Sequence, residues 1–245
     1  LVNCAGDTSI ALSLLADNQE FFEVKADYAK DMVVGFIRLN GATVGCVANR
    51  SEVYTDGEKT ATYDAALTAA GCEKAAAFVN FCNAFEIPVL TLVNVDGYKN
   101  CKCNEKKIAK AAARLTYAFA NADVPKVTVV VGKANGTAGL TMNSKSIGSD
   151  IVYAWKNAKI GVMEAAPAVK IMYADEIAKA DNAAALINEK AAQYNEMQAS
   201  ALAAAKRGYV DDIIEASETR QRVAAAFEML FTKREDRPSK KHGTI

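Results

Sequence analysis

The segment at residues 132–142, GKANGTAGLTM, is the part of the sequence best suited to chemistry. It follows an apolar, strand-like run and leads into a helical pattern. Small residues let a backbone turn sharply and approach a ligand, and the first N–H groups of the following helix are left unpaired. Such N–H groups can bind an anion or form an oxyanion hole that stabilises developing negative charge. A compact strand-to-helix connection that needs small residues only for packing is the alternative interpretation.

Motifs for other chemistries are missing from the sequence. The segment has neither the G-x-x-x-x-G-K-[ST] pattern of a phosphate-binding loop nor the G-x-G-x-x-G spacing. The single histidine, His242, lies near the end of the sequence, which argues against His-rich metal sites and against Ser-His-Asp or Cys-His catalysis. Glu164 is a candidate general acid/base, or a carboxylate that stabilises the start of the next helix. We therefore expect no metal site.

The six cysteines lie mostly in apolar runs, where a reduced cysteine behaves as a small hydrophobic residue. This usage is typical of a cytoplasmic protein. Cys101 and Cys103 form a C-x-C rather than a C-x-x-C motif, with no second pair and no histidine nearby. We interpret them as structural or incidental rather than as a metal or redox site.

The composition is that of an ordinary globular domain. The residues are 51% hydrophobic and 24% charged, which argues against a disordered or fibrous chain. Basic and acidic residues balance at a formal net charge of zero, so the broad positive surface that nucleic acid requires is not expected. No apolar stretch is long enough to span a bilayer, so we expect no membrane insertion. No linker divides the chain, so residues 1–245 are predicted to be one domain.

Two helix-strand units position the small-residue segment. Residues 72–85 have the apolar spacing of a helix and precede a buried strand at residues 87–95, which ends in Asp96-Gly97. Residues 105–122 repeat the helical pattern and precede a strand at residues 127–131. This alternation predicts an α/β fold with a largely parallel sheet, whose ligands bind at the carboxyl ends of the strands. The site is therefore expected near Asp96 and residues 132–139.

The remaining pattern predicts the rest of the domain. Expected elements are a hairpin of residues 32–39 and 42–48 turning at Asn40-Gly41, a loop at 49–62, strands at 151–155, 159–163 and 209–214, a long helix at 181–206, a helix capped by Ser217, and a charged tail at 233–245.

The sequence resembles the C-terminal lobe of the biotin-dependent acyl-CoA carboxyltransferases, the family of the propionyl-CoA carboxylase β and methylmalonyl-CoA decarboxylase α subunits. The similarity covers nearly the whole chain in order. It is carried by residues 25–29, 33–36, 44–49, 73–88, 132–134, 144–145, 148–150, 153–155, 160–163, 205–214 and 241–243.

The resemblance implies a ClpP/crotonase-like α/β fold with a β-β-α spiral core and C-terminal helices. It implies carboxyl transfer between N-carboxybiotin and a short-chain acyl-CoA, with biotin held on a separate biotin carboxyl carrier protein. The N-terminal lobe, absent from this sequence, would chiefly bind the acyl-CoA, and this lobe would face biotin. The chain is then expected to be inactive alone and to assemble as a homo-oligomer.

The site residues follow from the resemblance by position. Thr137 and Ala138 occupy the places of the two residues whose backbone N–H groups form the oxyanion hole of the C-terminal lobe. The biotin-binding positions are Val95, Asp96, Gly97, Tyr98 and Gly136, and the substrate-binding positions are Gly139 and Leu140.

The sequence departs from the family pattern in both of these loops. The usual G-G-A-Y is replaced by residues 136–139, GTAG, and the usual D-V-P-G-F-L-P-G by residues 94–101, NVDGYKNC, without its prolines. Thr137 in place of glycine restricts φ, and a proline-free loop is less preorganised. A degenerate, non-catalytic lobe kept for subunit assembly is therefore the alternative hypothesis. A stand-alone crotonase-type hydratase or thioesterase is a third, which lacks a convincing carboxylate pair.

Overall fold

The computed structural model of the chain describes residues 1–235; His242, the 241–243 block and most of the predicted tail lie outside this range. Its strands are β1 Phe21–Glu23, β2 Met32–Leu39, β3 Ala42–Asn49, β4 Glu52–Thr55, β5 Glu58–Thr62, β6 Ala66–Leu67, β7 Val89–Val95, β8 Gly97–Tyr98, β9 Lys126–Asn135, β10 Ile151–Trp155, β11 Lys159–Gly161 and β12 Asp212–Ile214. Its helices are α1 Thr8–Leu15, α2 Ala69–Ala84, α3 Lys102–Asn121, α4 Gly136–Thr141, α5 Ala165–Met172, α6 Ala174–Lys179, α7 Ala183–Met197, α8 Ala201–Lys206 and α9 Thr219–Met229.

The main sheet has the order β1-β2-β3-β7-β9-β10-β12, with β11 also pairing with β9. The pairs from β3 to β12 are parallel, and β1, β2 and β3 are antiparallel neighbours. The predicted hairpin is confirmed: Asn40 and Gly41 both have positive φ, at 51° and 81°. This is the backbone that a two-residue turn needs to match the twist of its strands.

The sheet carries a hydrophobic core on each face. The strand β7 is almost wholly buried, and its alternate residues belong to opposite cores, which is why its sequence is a continuous apolar run. Residues of α2 and α3 pack on one face, and residues of α1 and α9 pack on the other. Trp155 lies in the core that contains residues of α1 and α9, and its Nε1 donates a hydrogen bond to Thr219 Oγ1 at 2.9 Å.

The prediction of a loop at residues 49–62 is wrong, because most of these residues form the antiparallel strand pair β4 and β5. The pair turns at Asp56 and Gly57, which have φ of 53° and 83°. Asp-Gly is a strong hairpin sequence. The polar composition that suggested a loop belongs to a hairpin whose side chains are largely exposed.

The prediction of a single helix at residues 181–206 is also wrong, because this segment forms two helices. It is interrupted between α7 and α8, where Ala199 accepts a hydrogen bond from Ile160 N at 2.8 Å. The Ser200 hydroxyl then caps α8 by accepting from Ala203 N at 3.1 Å. Pairing with β11 satisfies backbone groups that a continuous helix would have bonded internally, so a tertiary contact overrides the local helical preference.

Four smaller predictions also need correction. Ser217 does not cap α9: Glu215 and Glu218 form a capping box one turn earlier. The strands predicted at 159–163 and 209–214 are shorter, and the strand predicted to end at residue 131 continues to Asn135 because its last residues pair with β11. The helices α1 and α6 were not predicted. Within residues 1–235, none of the helices has the length and apolarity to cross a membrane.

Candidate functional site

Two asparagines tie together the carboxyl ends of three neighbouring strands. Asn49, at the end of β3, accepts from Asn94 N at 2.8 Å and donates to Asn94 O in β7. The Asn94 side chain donates to Ala5 O at 2.9 Å and accepts from Lys133 N in β9 at 3.0 Å. A Cβ added at Gly132 would lie 2.3 Å from Asn94 Oδ1, so only glycine leaves room for the Asn94 side chain. These bonds fix the strand ends from which the candidate site extends.

The two segments that sequence analysis singled out lie next to each other. The loop that follows β7 continues into β8, which pairs in parallel with β6. Tyr98 on β8 shares a hydrogen bond with Thr141 of α4, with 3.1 Å between their oxygens. Val95 is buried, whereas Asp96 and Gly97 are half-buried. The topology therefore brings the residues predicted to bind biotin beside the small-residue segment.

The passage from β9 into α4 occurs at Gly136, with no intervening loop. Gly136 has φ of +58°, in the left-handed region that favours glycine. Thr137 and Ala138 form the first turn of α4, and in the described part of the chain neither N–H donates a hydrogen bond outside the helix. Gly139 is buried against β9, where a Cβ would lie 2.7 Å from the Ala134 carbonyl carbon. The segment thus serves packing and also presents backbone donors.

A cavity of about 800 Å³ borders this turn. Its walls include Thr137 and Leu140 from α4, and Leu140 is 44% exposed. Apolar side chains such as Ile160 and Val152 contribute to the lining, with Arg207 among its polar residues. A second cavity of about 780 Å³ lies between the β2–β3 hairpin and the end of α9. None of the predicted site residues lines it. Gly136, Thr137, Gly139 and Leu140 line the first cavity, whereas Ala138 and residues 95–98 lie outside its lining.

An ion-pair cluster that sequence reasoning missed holds the loop after β7. Lys133 Nζ lies 2.9 Å from Asp96 Oδ2 and also contacts the Glu164 carboxylate. Asn135 Nδ2 donates to Asp96 Oδ1 at 2.6 Å. Asp96 thus links the loop to the end of β9, and Glu164 links the start of α5 to the same lysine. This cluster restrains the loop after β7, which contains no proline.

The charges of this cluster follow from its contacts. Burial alone would raise the pKa of Asp96, but the hydrogen bonds from Lys133 and Asn135 outweigh it and hold the pKa below 3.8. Burial alone would lower the pKa of Lys133, because it disfavours the charged ammonium. The contacts with Asp96 and Glu164 outweigh this effect and raise the pKa of Lys133 above 10.5. The Glu164 side chain makes no cap to α5. It pairs with Lys133, an arrangement that neither sequence interpretation included.

We expect Asp96→Asn to reduce the loss of stability in acid. A carboxylate with a depressed folded pKa contributes stability above its unfolded value of 3.8, and that contribution is lost as pH falls through the folded value. Because these side chains are about one-third exposed, the contribution at pH 7 should be only about 1 kcal/mol. Urea unfolding at pH 7 and pH 3, followed by Trp155 fluorescence, measures it.

The matched control is Asp56→Asn at the exposed tip of the β4–β5 hairpin, which removes a carboxylate outside the cluster and should leave the contribution of the cluster in place. If Asp96→Asn and the parent lose equal free energy of unfolding between pH 7 and pH 3, the cluster does not stabilise the loop.

No metal centre is apparent in residues 1–235, where no group of three or more His, Cys, Asp or Glu side chains is arranged to hold an ion. The groups that the site does offer are backbone N–H groups, a cation paired with two carboxylates, and an apolar cavity. Such a set can bind and polarise a carbonyl oxygen.

The comparisons with known proteins agree with one another. Residues 3–245 match the family model described as the carboxyl transferase domain. The chain is 43% identical over 244 residues to the propionyl-CoA carboxylase beta chain of Saccharopolyspora erythraea, covering 98% of this chain and 43% of that protein. It is 39% identical over 241 residues to the methylmalonyl-CoA decarboxylase subunit alpha of Propionigenium modestum, covering 96% of this chain and 44% of that protein.

A solved structure shares the fold. Transcarboxylase 12S, a hexamer crystallised with methylmalonyl-coenzyme A and methylmalonic acid, superposes with a TM-score of 0.88 at 40% identity. The match covers 97% of this chain and 44% of that one. The chain therefore spans somewhat less than half the length of the proteins that it matches.

Proposed function

Because the chain belongs to the carboxyl transferase domain family and has its crotonase-like α/β fold, we propose that it is the biotin-facing C-terminal lobe of an acyl-CoA carboxyltransferase. The complete enzyme transfers a carboxyl group between biotin and the α-carbon of a short-chain acyl-CoA. One observation carries the proposal: similarity of about 40% identity extends over almost all of this chain but less than half of each relative. That is the relation expected of one lobe to a two-lobe protein.

The residues present suit a ureido ring on a carrier protein. A ureido oxygen needs hydrogen-bond donors, and the N–H groups of Thr137 and Ala138 begin α4 without partners outside the helix in the described residues. The nearby cavity is open and has an apolar lining that accommodates the rest of a ring. When bound, biotin supplies the nitrogen that carries the carboxyl group.

The chain's own residues bind and orient the group that reacts. The two N–H groups hold an oxygen in place and stabilise negative charge on it, an electrostatic contribution that requires no ionisable side chain. Asp96 bonds to Asn135 at the end of β9, Tyr98 bonds to Thr141 of α4, and Val95 anchors this segment, with Gly97 between them, in the core. Gly136 provides the turn, and Gly139 allows α4 to pack closely on β9. Leu140, which is exposed at the cavity, is the side chain proposed to limit the acyl group.

The rest of the machinery is proposed to lie on partners. An N-terminal carboxyltransferase lobe completes the acyl-CoA site, a separate carrier protein brings biotin, and copies of the enzyme assemble, as the hexameric transcarboxylase 12S does. All six cysteines are free, which supports a cytoplasmic setting.

The test is to join the chain to an N-terminal carboxyltransferase lobe and to measure carboxylation of free biotin by methylmalonyl-CoA. We expect the joined protein to be active and each lobe alone to be inactive. Absence of transfer in a correctly assembled protein would favour the non-catalytic assembly lobe. Hydration of crotonyl-CoA by the isolated chain would replace the proposal with a stand-alone crotonase activity.

A further inference from the structure

Cys101 and Cys103 form a side-chain pair at the start of α3. Their sulfur atoms are 2.9 Å apart, Cys103 is exposed, and Cys101 is half-buried. Cys46, Cys72 and Cys82 are buried instead, and burial raises the pKa of Cys72 and Cys82 to about 12. A thiol that stays protonated is a poor nucleophile. The pair at α3 is therefore chemically distinct from these three buried thiols.

The surroundings of the pair divide it into two unequal thiols. The contact with the Cys103 side chain lowers the pKa of Cys101, and backbone N–H groups in the first turn of α3 lower it further. The same contact with Cys101 raises the pKa of Cys103. Lys99, which is ion-paired with Asp64, adds a weaker effect in the direction of a Cys101 thiolate. Cys101 is thus suited to attack, and Cys103 is suited to resolve the product.

The backbone is already arranged for a bond between the two sulfurs. Lys102, between them, is the first residue of α3, and helical geometry at that residue places its neighbours' Cα atoms about 5.4 Å apart. Disulfides form over Cα separations of about 4.4–6.8 Å. Asn104 fixes this turn by donating to Lys99 O at 2.7 Å and accepting from Ala69 N at 2.6 Å. Closure then needs only a small movement of the two side chains.

We propose that Cys101 and Cys103 form a thiol–disulfide exchange site that reacts with small disulfides of the glutathione class. The Cys101 thiolate attacks one sulfur of the disulfide, forms a mixed disulfide and releases the first thiolate. Cys103 loses its proton to solvent and attacks Cys101 Sγ, forming the Cys101–Cys103 bond and releasing the second thiolate. The two cysteines are oxidised by two electrons, and the small disulfide is reduced to two thiols. This site is independent of the carboxyl-transfer proposal.

The experiment treats the native full chain with oxidised glutathione, followed by acid quench, alkylation of free thiols and tryptic digestion without reductant. Because trypsin cleaves after Lys99, Lys102 and Lys106, we expect peptide 100–102 to be recovered disulfide-linked to peptide 103–106. Cys103→Ser should trap glutathione on Cys101. Cys101→Ser should at most collect glutathione on Cys103, because the sulfur that closes the disulfide is missing.

Cys4, a half-buried cysteine of a different segment, is the internal control and should at most collect glutathione. The proposal is overturned if glutathione accumulates on Cys101 of the parent chain without the linked peptides. It is also overturned if Cys101 reacts no faster than Cys4. Both variants change side chains at the surface, and Trp155 fluorescence checks that they remain folded.

Discussion

Replacing Thr137 with proline is expected to lower the kcat of the joined carboxyltransferase by about 10²–10³-fold, the usual effect of removing one oxyanion-hole donor. Proline lacks the backbone N–H, so the substitution deletes the proposed donor itself. The first turn of a helix tolerates proline because its N–H groups have no acceptor within the helix. Thr137 is exposed and occupies that turn of α4, so the fold should survive the change.

Thr137→Ala is the matched control, because it removes the same side-chain atoms and keeps the N–H group. We expect its kcat to stay within a few-fold of the parent, and the midpoint of urea unfolding should be similar for both variants. If proline and alanine reduce kcat equally, the Thr137 N–H group does not stabilise the reaction. Steady-state kinetics over a range of biotin concentrations separates an effect on kcat from one on KM.

Replacing Asn49 with leucine is expected to lower the free energy of unfolding by about 2–4 kcal/mol, because two backbone groups of Asn94 lose their partner and each costs about 1–3 kcal/mol. The Asn49 side chain is 2% exposed, so water does not readily replace it. For a chain of this length, the change corresponds to a fall in Tm of about 5–15 °C. Thermal and urea unfolding followed by Trp155 fluorescence measure it.

A matched control accompanies this variant. Asn83 also bonds the backbone of another segment, accepting from Asp123 N at 2.9 Å, but it is half-buried. Asn83→Leu should cost only about 0.5–1.5 kcal/mol. Equal destabilisation by Asn49→Leu and Asn83→Leu would show that Asn49 does not hold the strand ends together.

Local patterns were sufficient to predict the elements that build the site. Asn40-Gly41 predicts the hairpin because few sequences adopt two consecutive positive φ angles. The apolar runs ending at Val95 and after Val131 predict buried parallel strands because both faces of each strand pack against side chains. Since parallel strands place their carboxyl ends at one edge, these runs also predict that the loop at Asp96 meets the turn at Gly136.

The errors arose where a distant contact decided the local structure. The break between α7 and α8 depends on hydrogen bonding between Ile160 and Ala199, which are 39 positions apart in the sequence. The hairpin at residues 52–62 was missed because its exposed polar side chains resemble those of a loop, although the Asp56-Gly57 signal was present. The Lys133 cluster joins Asp96 and Glu164, and no local spacing relates these three residues.

The sequence by itself determined the α/β fold class, because hydrophobic periodicity and turn chemistry act over a few residues, and its resemblance to known sequence blocks predicted the family. Only the tertiary structure decided which side chains hold the site. Asn49 and Asn94 join strands that are 45 positions apart, Lys133 restrains a loop without prolines, and packing against Ala134 makes glycine necessary at Gly139. Hydrogen bonds and ion pairs depend on distances of a few ångströms in space, and these are set only once the chain has folded.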